Sequence, residues 1–581
     1  MISKLMFRLL PIQILLAAVG AVNGLVSSYF ANNYVGVETM SAVGLYSTIN
    51  MLITALSTML IAGSAILCGK YLGQNAREKL QNVFSVTLFA AVTIGGIFSL
   101  FFILAGVFDL TGFFTKDPVV RPLFNRYLLG QSVGVIPLMV GNQLPAFLAM
   151  ENRGKRTLAA TLSYIAVNIL LNILFVKTLH MEAFGLALAT GIGLWVFLLI
   201  QLSYFLRGKS HLKLFSGKLR LKEGLEIVRV GCVGALADGY KTLRFLTVNW
   251  LLQAYIGTVG VSAYATADSL LRLFWAIPAG MVTVSRLLIG VSVGEEDRQT
   301  LTDVMRTMLK RFVPLMAAVA LLLILGAEPL TRIFYRDPAQ PVYMMTVWGL
   351  RLIPLCMPLS VICNHFVCYG QASGKTGLVQ TLSLQDGVLG VAAFSALLIG
   401  VLGIRGVYLS SLCNGIVTML IIIGYAWLKN RKRPRKLEDL MVIPASFGAS
   451  EDERIDVSVK DIGEVVSVAE QVQRFCTERG IDEKRSLLAG LCMEEMAGNI
   501  VQHGFTKDEK DHGIDIRVVH KEDRVILRLK DDCVPFDPME RQGLEDPEDV
   551  MKNIGIRMVL KTAEDVSYQN ILGLNVLTKK F

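Results

Sequence analysis

Lys429-Asn430-Arg431-Lys432-Arg433-Pro434-Arg435-Lys436 divides the chain into two unlike parts. Before it runs a long, mostly apolar sequence broken into hydrophobic segments. After it comes a charged sequence with mixed helix and strand patterning. A basic cluster directly after a hydrophobic segment, Ile416 to Leu428, is what the positive-inside rule expects on the cytoplasmic face of a membrane. The stretch therefore marks a domain boundary and a topology together. The expected organisation is a transmembrane domain over 1–428, a basic juxtamembrane linker over 429–450 and a cytoplasmic soluble domain over 451–581.

Composition agrees with that division. The chain has 581 residues, of which 53% are hydrophobic and only 18% charged, with a mean hydropathy of +0.52. These values are unusual for a soluble protein. The formal charge of +10 gathers at segment ends, where topology and anionic lipid explain it better than nucleic acid does. Nine cysteines are scattered singly, several inside hydrophobic segments (Cys68, Cys232, Cys356, Cys363, Cys413). With no CxxC and no Cys/His ligand spacing, neither a disulfide framework nor a zinc site is indicated. The first hydrophobic stretch, Leu9 to Phe30, reads as a retained membrane helix and not as a cleaved signal.

A membrane crossing needs ~20 apolar residues. Candidate spans centre near residues 20, 57, 95, 138, 168, 195, 242, 275, 322, 356, 389 and 417. Those near 242 and 275 are interrupted by Asp238, Lys241, Arg244, Asp268 and Arg272. An even count puts both termini on one side. Loops expected in the cytoplasm carry Lys70, Arg77 and Lys79; Arg153, Lys155 and Arg156; and Arg207 through Lys222. Loops expected outside, Ala31 to Gly44 and Ala254 to Val261, carry no Lys or Arg. The loop with Lys116, Arg121 and Arg126 breaks the pattern, but the bias favours both termini inside an inner (cell) membrane.

The apolar part repeats itself. Glu151-Asn152-Arg153-Gly154-Lys155-Arg156-Thr157 follows the fourth segment, and Gln371-Ala372-Ser373-Gly374-Lys375-Thr376-Gly377 follows the tenth. Ala183-Phe184-Gly185-Leu186-Ala187 opens the sixth, and Ile404-Arg405-Gly406-Val407-Tyr408 the twelfth. Both pairs stand close to 220 residues apart, as a duplication would place them. An all-α polytopic domain of twelve helices in two six-helix halves is a transporter architecture, with its cavity between the halves.

Asn23 to Leu45, with Tyr34-Val35-Gly36 and Met40-Ser41-Ala42-Val43-Gly44-Leu45, resembles the first loop of MATE-type multidrug and toxin exporters. Gly69-Lys70-Tyr71-Leu72-Gly73, Asn152-Arg153-Gly154 and Asn168-Ile169-Leu170-Leu171-Asn172 fall where that family carries similar residues. The resemblance spans roughly residues 5–428 and implies secondary antiport of organic cations or metabolites against a coupling ion, H⁺ or Na⁺. One departure bears on coupling. The family often has an acidic residue in its first helix, in the turn that here reads Val26-Ser27-Ser28.

Charges inside a membrane are costly and are functional candidates by default. In the second half these are Asp238, Asp268 and Asp386. Structural pairing is the competing reading: Asp238 with Lys241 or Arg244, and Asp268 with Arg272 one helical turn away. Asp386 has no basic partner near it in sequence. Gly370-Gln371-Ala372-Ser373-Gly374-Lys375-Thr376 imitates a phosphate loop, but only three residues separate its glycines where four are required, and a membrane helix precedes it. It reads as an ordinary cytoplasmic connector.

Beyond the linker, Arg454 to Val459 alternates like a strand, and Ile462 to Arg479 has helical periodicity ending at Gly480. A second helix is expected from about Asp482 to Gln502, strands at Ile514 to Val519 and Val525 to Leu529, and a hairpin at Asp565 to Lys580. Helices on one face of an antiparallel or mixed sheet make an α/β sandwich. On the second helix Glu495, Asn499 and His503 recur at intervals of four and share one polar stripe. A carboxylate and an amide one turn apart suit a site that polarises a nucleophile and ligates a hard cation. A solvated helical face would show the same spacing. Further on, Lys530-Asp531-Asp532-Cys533 ends a hydrophobic strand, and Asn553-Ile554-Gly555-Ile556-Arg557 opens a helix with a glycine suited to close phosphate approach.

In this order the three features resemble the GHKL ATP-binding fold, and most closely the anti-sigma-factor serine kinases. Their helix box, Glu-x-x-x-Asn-x-x-x-His-Gly, reads here Glu495-Met-Ala-Gly-Asn499-Ile-Val-Gln-His503-Gly504. The resemblance covers roughly residues 455–581 and implies ATP and Mg²⁺ as ligands. Asn499 would ligate Mg²⁺, with His503 beside it in the cofactor-binding box, and Glu495 would be the general base. Asp531 would accept from the adenine amino group, and Gly555 would bring backbone N–H groups to phosphate. Cys533 departs from the glycine usual after Asp-x, and Glu540 to Asn553 would form a short lid. Histidine-kinase activity is the nearest rival on the same fold, and it is disfavoured because no histidine lies between Arg435 and Glu494 to receive the phosphoryl group.

The resulting expectation is a secondary transporter carrying an ATP-binding regulatory module that resembles a protein serine/threonine kinase. Its partners would be the bilayer, a small-molecule substrate with its coupling ion, and an anti-sigma-antagonist-like protein, but no nucleic acid. The alternative is a membrane sensor whose transporter-like half controls the kinase.

Overall fold

The computed structural model describes residues 2–30, 37–113, 117–207, 210–213, 221–335, 337–449, 451–505, 512–521, 524–535, 565–571 and 573–581. The apolar part folds as long helices, the form in which a lipid-exposed chain satisfies its own backbone groups. They are α1 (Ile2–Phe30), α2 (Val37–Gly73), α3 (Arg77–Val107), α4 (Val120–Met150), α5 (Gly154–Thr178) and α6 (Glu182–Leu206). The second set is α7 (Leu221–Tyr255), α8 (Thr258–Gly294), α9 (Arg298–Leu325), α10 (Pro341–Ala372), α11 (Thr376–Leu402) and α12 (Ile404–Asn430). Eleven of the twelve are apolar enough to cross a membrane by composition. The exception is α7, which has the length but carries Glu223, Glu226, Arg229, Asp238, Lys241 and Arg244.

Duplication is visible in backbone detail. The turn after α2 and the turn after α8 each place a non-glycine residue in the left-handed region, Asn75 at φ 54° and Glu296 at φ 52°. Each is closed by the same kind of hydrogen bond, Ala76 N to Tyr71 O and Asp297 N to Ser292 O. The turns after α4 and α10 match likewise, with Asn152 and Gly374 at positive φ. π turns interrupt α5 at Ile173–Thr178 and α11 at Gln385–Leu389, the fifth helix of each set.

The two six-helix lobes meet through α2 against α7 and α8, and through α1 against α8. Small residues set the approach, as in membrane helix pairs generally. A Cβ built on Gly69 would lie 3.1 Å from Gly290 Cα, and one on Gly294 would collide with the Lys70 carbonyl. Gly69 and Gly290, like Gly73 and Gly294, stand close to 220 residues apart, so one duplicated glycine pair meets its own copy. At the opposite membrane face two of the three exceptional cations are neutralised locally, Arg121 by Asp109 and Arg126 by Glu182 at 3.3 Å; Lys116 lies outside the described residues.

After α12 the chain does not run as a loose tether. It forms a short helix, α13 (Leu437–Met441), whose Met441 is buried in the core of the membrane body. Glu438 accepts from Arg298 Nε at 2.7 Å, and Lys375 Nζ donates to the carbonyls of Met441 and Val442 at 2.7 and 2.6 Å. Lys375 therefore anchors the connection.

The C-terminal domain contains β1 (Arg454–Val459), α14 (Ile462–Glu478), α15 (Glu483–Asn499), β2 (Ile514–Lys521), β3 (Arg524–Asp531), β4 (Asp565–Ile571) and β5 (Leu574–Lys580). Asp461 and Asp482 cap the two helices by accepting from Glu464 N and Arg485 N, which fixes where each begins. The five strands form one sheet in the order β1-β2-β3-β5-β4, with every neighbouring pair antiparallel. Strand alternation separates its faces. Ile514, Ile516, Val518, Val525, Leu527 and Leu529 join the core formed with α14 and α15. Leu574 and Val576 face the other way and belong to the core of the membrane body.

Candidate nucleotide site and intramembrane charge cluster

The polar residues of α15 lie where its helical ladder changes. Asn499 is its last residue, and a π turn follows at Ile500–Gly504, a feature that recurs at functional sites. Asn499 Nδ2 donates to Glu495 Oε1 at 2.8 Å. That bond occupies the amide nitrogen side and leaves the amide oxygen to face a ligand. Both side chains are half-buried, whereas His503 stands exposed on the π turn. An amide oxygen beside a carboxylate is a hard-oxygen donor set and fits Mg²⁺.

Asp531 ends β3 on the helix-facing side and is buried. Its Oδ1 accepts from Asn575 Nδ2 at 2.7 Å and from Cys533 N at 3.0 Å. Two donors on one oxygen fix the plane of the carboxylate. Burial pushes the Asp531 carboxyl above its usual range, although the bonds from Asn575 and Cys533 oppose that rise. A buried carboxylate aimed by fixed partners fits recognition of an amino edge such as that of adenine.

Cys533 is accommodated. A Cβ on Gly504 would lie 3.1 Å from its Sγ, so the thiol side chain occupies space that Gly504 leaves open below the π turn. Donor atoms of His512, Asp532 and Cys533 gather within 4.8 Å of one another beside this site, with His512 Nδ1 2.9 Å from Asp532 Oδ1. Gly555 and the stretch Glu540 to Asn553 lie outside the described residues, as does Tyr34-Val35-Gly36.

Sequence reading missed Asn575, which faces Asp531 across the β3–β5 ladder and also accepts from Tyr568 Oη and Asn570 Nδ2, both at 2.8 Å. Its signal was slight: an amide at an otherwise apolar, alternating position. A second group was missed altogether. Glu295 and Asp297, in the turn after α8, are buried against Arg517, Arg528 and Lys530 on the outer face of β2 and β3. Burial alone would raise the Asp297 carboxyl, but Lys530, Arg517 and Arg528 outweigh it and hold the group well below the carboxylate range. Burial alone would lower Lys530, yet Glu295 and Asp297 keep it above its ordinary value. Three cations at alternate positions on paired strands, and an acidic triplet in a loop that should be basic, were the available signals.

The membrane acids separate. Asp268 forms an ion pair with Arg272 at 3.0 Å, the local pairing its spacing allows. Asp386 sits in the π turn of α11, where its Oδ1 accepts from Asn414 Nδ2 at 2.9 Å. Gln385 Nε2 reaches Asn414 Oδ1 at 3.4 Å, and Arg244 Nη1 donates to the Asp386 backbone oxygen at 3.3 Å. Asp238 lies on α7, and its side chain is outside the described residues.

Comparison with known families places both parts. Residues 15–174 and 240–392, more than half of the chain, match the MatE family. The chain belongs to the MatE family. Residues 458–579 of this MatE protein match the histidine kinase-like ATPase domain, so it joins a membrane transporter domain to a GHKL-type ATPase domain. Among curated relatives, the probable multidrug resistance protein NorM of Bacillus licheniformis is 24% identical over 234 residues, 37% of this chain and 50% of that protein. That of Listeria innocua is 25% identical over 252 residues, 41% and 54% of the respective lengths. The chain thus spans about half the length of the curated relatives it matches. Among solved structures, a multidrug resistance MATE family transporter in an outward-facing conformation aligns at TM-score 0.68 and 20% identity, covering 74% of this chain and 96% of that one. A MOP superfamily transporter from Pyrococcus furiosus aligns over the same shares at TM-score 0.67 and 20% identity. These likenesses establish the fold of the MatE part.

Proposed function

We propose that this MatE protein is a multi-pass secondary antiporter, exporting organic cations or metabolites against H⁺ or Na⁺, whose ATPase-type domain regulates it from the cytoplasm. The observation that carries the antiport reading is Asp386. It lies ten residues into a membrane helix, roughly 15 Å from the end nearest the C-terminal domain, on a π turn and aimed by Asn414. A carboxylate that deep is costly unless it is used. It also offers a coupling site in a chain whose first helix reads Val26-Ser27-Ser28. Lys70, Arg77, Arg153, Lys155 and the run from Lys429 lie at the face that carries the domain, which supports both termini in the cytoplasm.

For the domain, the donor set supports adenine nucleotide with Mg²⁺. Asp531 would read the base, Asn499 would ligate the cation, and Glu495 would accept a proton from a serine or threonine hydroxyl, with an anti-sigma-antagonist-like protein as the acceptor class. Gly555 remains the proposed phosphate contact. A second reading, a sensor whose transporter-like half controls a kinase, is favoured by one observation: the domain touches both lobes directly. Reconstituted full-length protein in vesicles, with an imposed ion gradient and with or without ATP on the domain side, separates the two. Gradient-driven uptake modulated by ATP supports regulated antiport. Phosphotransfer without any uptake rejects it in favour of the sensor.

A further inference from the structure

The C-terminal domain grips both lobes at equivalent places. On the second lobe, the turn after α8 inserts Glu295 and Asp297 beneath the sheet: Lys530 Nζ lies 2.9 Å from Glu295 and 3.1 Å from Asp297, Arg528 reaches Glu295 at 3.2 Å, and Arg517 pairs with Asp297. On the first lobe, the duplicate of that turn is held by the sheet's far edge. Arg77 donates to the Tyr568 carbonyl at 3.2 Å, and Gln569 Nε2 donates to Asn75 Oδ1. The β4–β5 turn also presses on the first lobe, since a Cβ on Gly573 would meet Arg8 and Asn152 side-chain nitrogens at 2.5 and 2.7 Å.

These two turns end the helices that seal the lobes together. Immediately before them Gly69 of α2 meets Gly290 of α8, while Gly73 packs on the Val291 and Glu295 backbone and Gly294 on that of Lys70. Parting the lobes at this face would separate Asn75 from Glu296, and the sheet spans that gap. Lobe opening here therefore requires the domain to release at least one side.

Both grips lead to Asp531. Lys530 and Asp531 are adjacent in β3 and point to opposite faces, one into the acidic turn and the other toward the candidate nucleotide site. On the other side a hydrogen-bonded path runs from Arg77 to the backbone of Tyr568, from Tyr568 Oη to Asn575, and from Asn575 Nδ2 to Asp531.

We propose that the C-terminal domain is a clamp across the paired α2–α3 and α8–α9 turns, holding this face of the transporter shut, with its grip set by adenine nucleotide at Asp531. The nucleotide control rests on the ATP-binding reading above; the clamp itself rests on the contacts alone. Thermodynamic linkage makes the coupling reciprocal: if nucleotide alters docking, undocking must alter nucleotide affinity by the same factor.

The test uses full-length protein in lipid nanodiscs with Mg²⁺ and the non-hydrolysable analogue AMP-PNP. Affinity is read by calorimetry. Lobe separation is read as the distance between spin labels at the exposed residues Lys155 and Thr376, with Cys232 and Cys413 replaced by serine. Two variants are compared with wild type. Glu295→Gln/Asp297→Asn keeps shape and the helix cap but removes the charges. Arg77→Ala is an exposed change that keeps the question answerable if the first variant misfolds. Wild type should bind the analogue and shift its label distance. The variants should change affinity by about fivefold or more and lose the distance response. A variant that binds as wild type does and still shifts overturns the clamp while leaving the nucleotide site intact. Binding to wild type with no shift overturns nucleotide control. No binding to wild type overturns the ATP reading, and the control with it.

Discussion

Asp531 and Asn575 stand directly opposite each other in the β3–β5 ladder, and Asn575 Nδ2 donates to Asp531 Oδ1 at 2.7 Å. The pair places a charged acceptor in a buried site, at a cost. Because burial raises the Asp531 carboxyl, the group's contribution to stability is fullest below the ordinary aspartate value of ~3.9 and is lost as pH rises through its folded value. Asp531→Asn should therefore leave the melting temperature of the full chain at neutral pH equal or higher. Adenine-nucleotide binding should weaken roughly 10- to 150-fold, the worth of a hydrogen bond to a charged group. Calorimetry and a thermal melt on the same preparation check both; unchanged affinity rejects the base-reading role.

Gly504 and Cys533 share one space, and each limits the other. Gly504→Ala should displace the Cys533 thiol beside Asp531 and lower nucleotide affinity. Adding Cys533→Gly should restore it. A double-mutant cycle on nucleotide affinity measures the coupling, and additive effects would show that the two positions act separately.

Lys375 holds the linker and not a phosphate. Lys375→Met should leave nucleotide affinity unchanged while destabilising the protein, since it abandons the Met441 and Val442 carbonyls at about 1–3 kcal/mol for each one left unsatisfied. Burial lowers the Lys375 amine to about 8. Between that value and the ordinary ~10.4 the unfolded chain binds more protons, so this lysine's contribution to stability rises with pH. Melting temperatures of wild type and variant from pH 7 to 10 should diverge in that direction.

Asp386→Asn should abolish ion-gradient-driven uptake in vesicles while preserving the fold, because an asparagine oxygen can still accept from Asn414. Retained uptake would move the coupling site elsewhere. Glu495→Ala makes the parallel case in the other domain, where binding should persist and phosphotransfer should cease.

Much of the architecture was readable because it is local. Hydropathy located the long helices, including α7, whose acids and bases blurred it, and period-two alternation located β1, β2, β3 and the β4–β5 hairpin. The Glu495–Asn499 contact was readable for the same reason, being one helical turn long. Asn575 was not, because its partner lies 44 residues away and only the strand order brings them together. The Glu295–Lys530 pair spans 235 residues and two domains, so nothing near either residue announces it. The stretch over 437–450 reads as a linker from its proline, glycine and mixed polarity, yet its residues Glu438, Met441, Val442 and Pro444 pack, because Lys375 and Arg298 supply partners from distant turns.

A sheet covered on both faces also bears on how the domain can be handled. Cut from the membrane body, residues 451–581 would bare Leu574 and Val576 together with Arg528 and Lys530, which lose Glu295 and Asp297 as counter-charges, and Arg517, which keeps only Asp456. Such a strip attracts polyanions without specificity. An excised fragment would bind nucleic acid, heparin or anionic lipid for reasons unrelated to its biology, and a screen for partners that used it as bait would report the missing transporter rather than a physiological ligand.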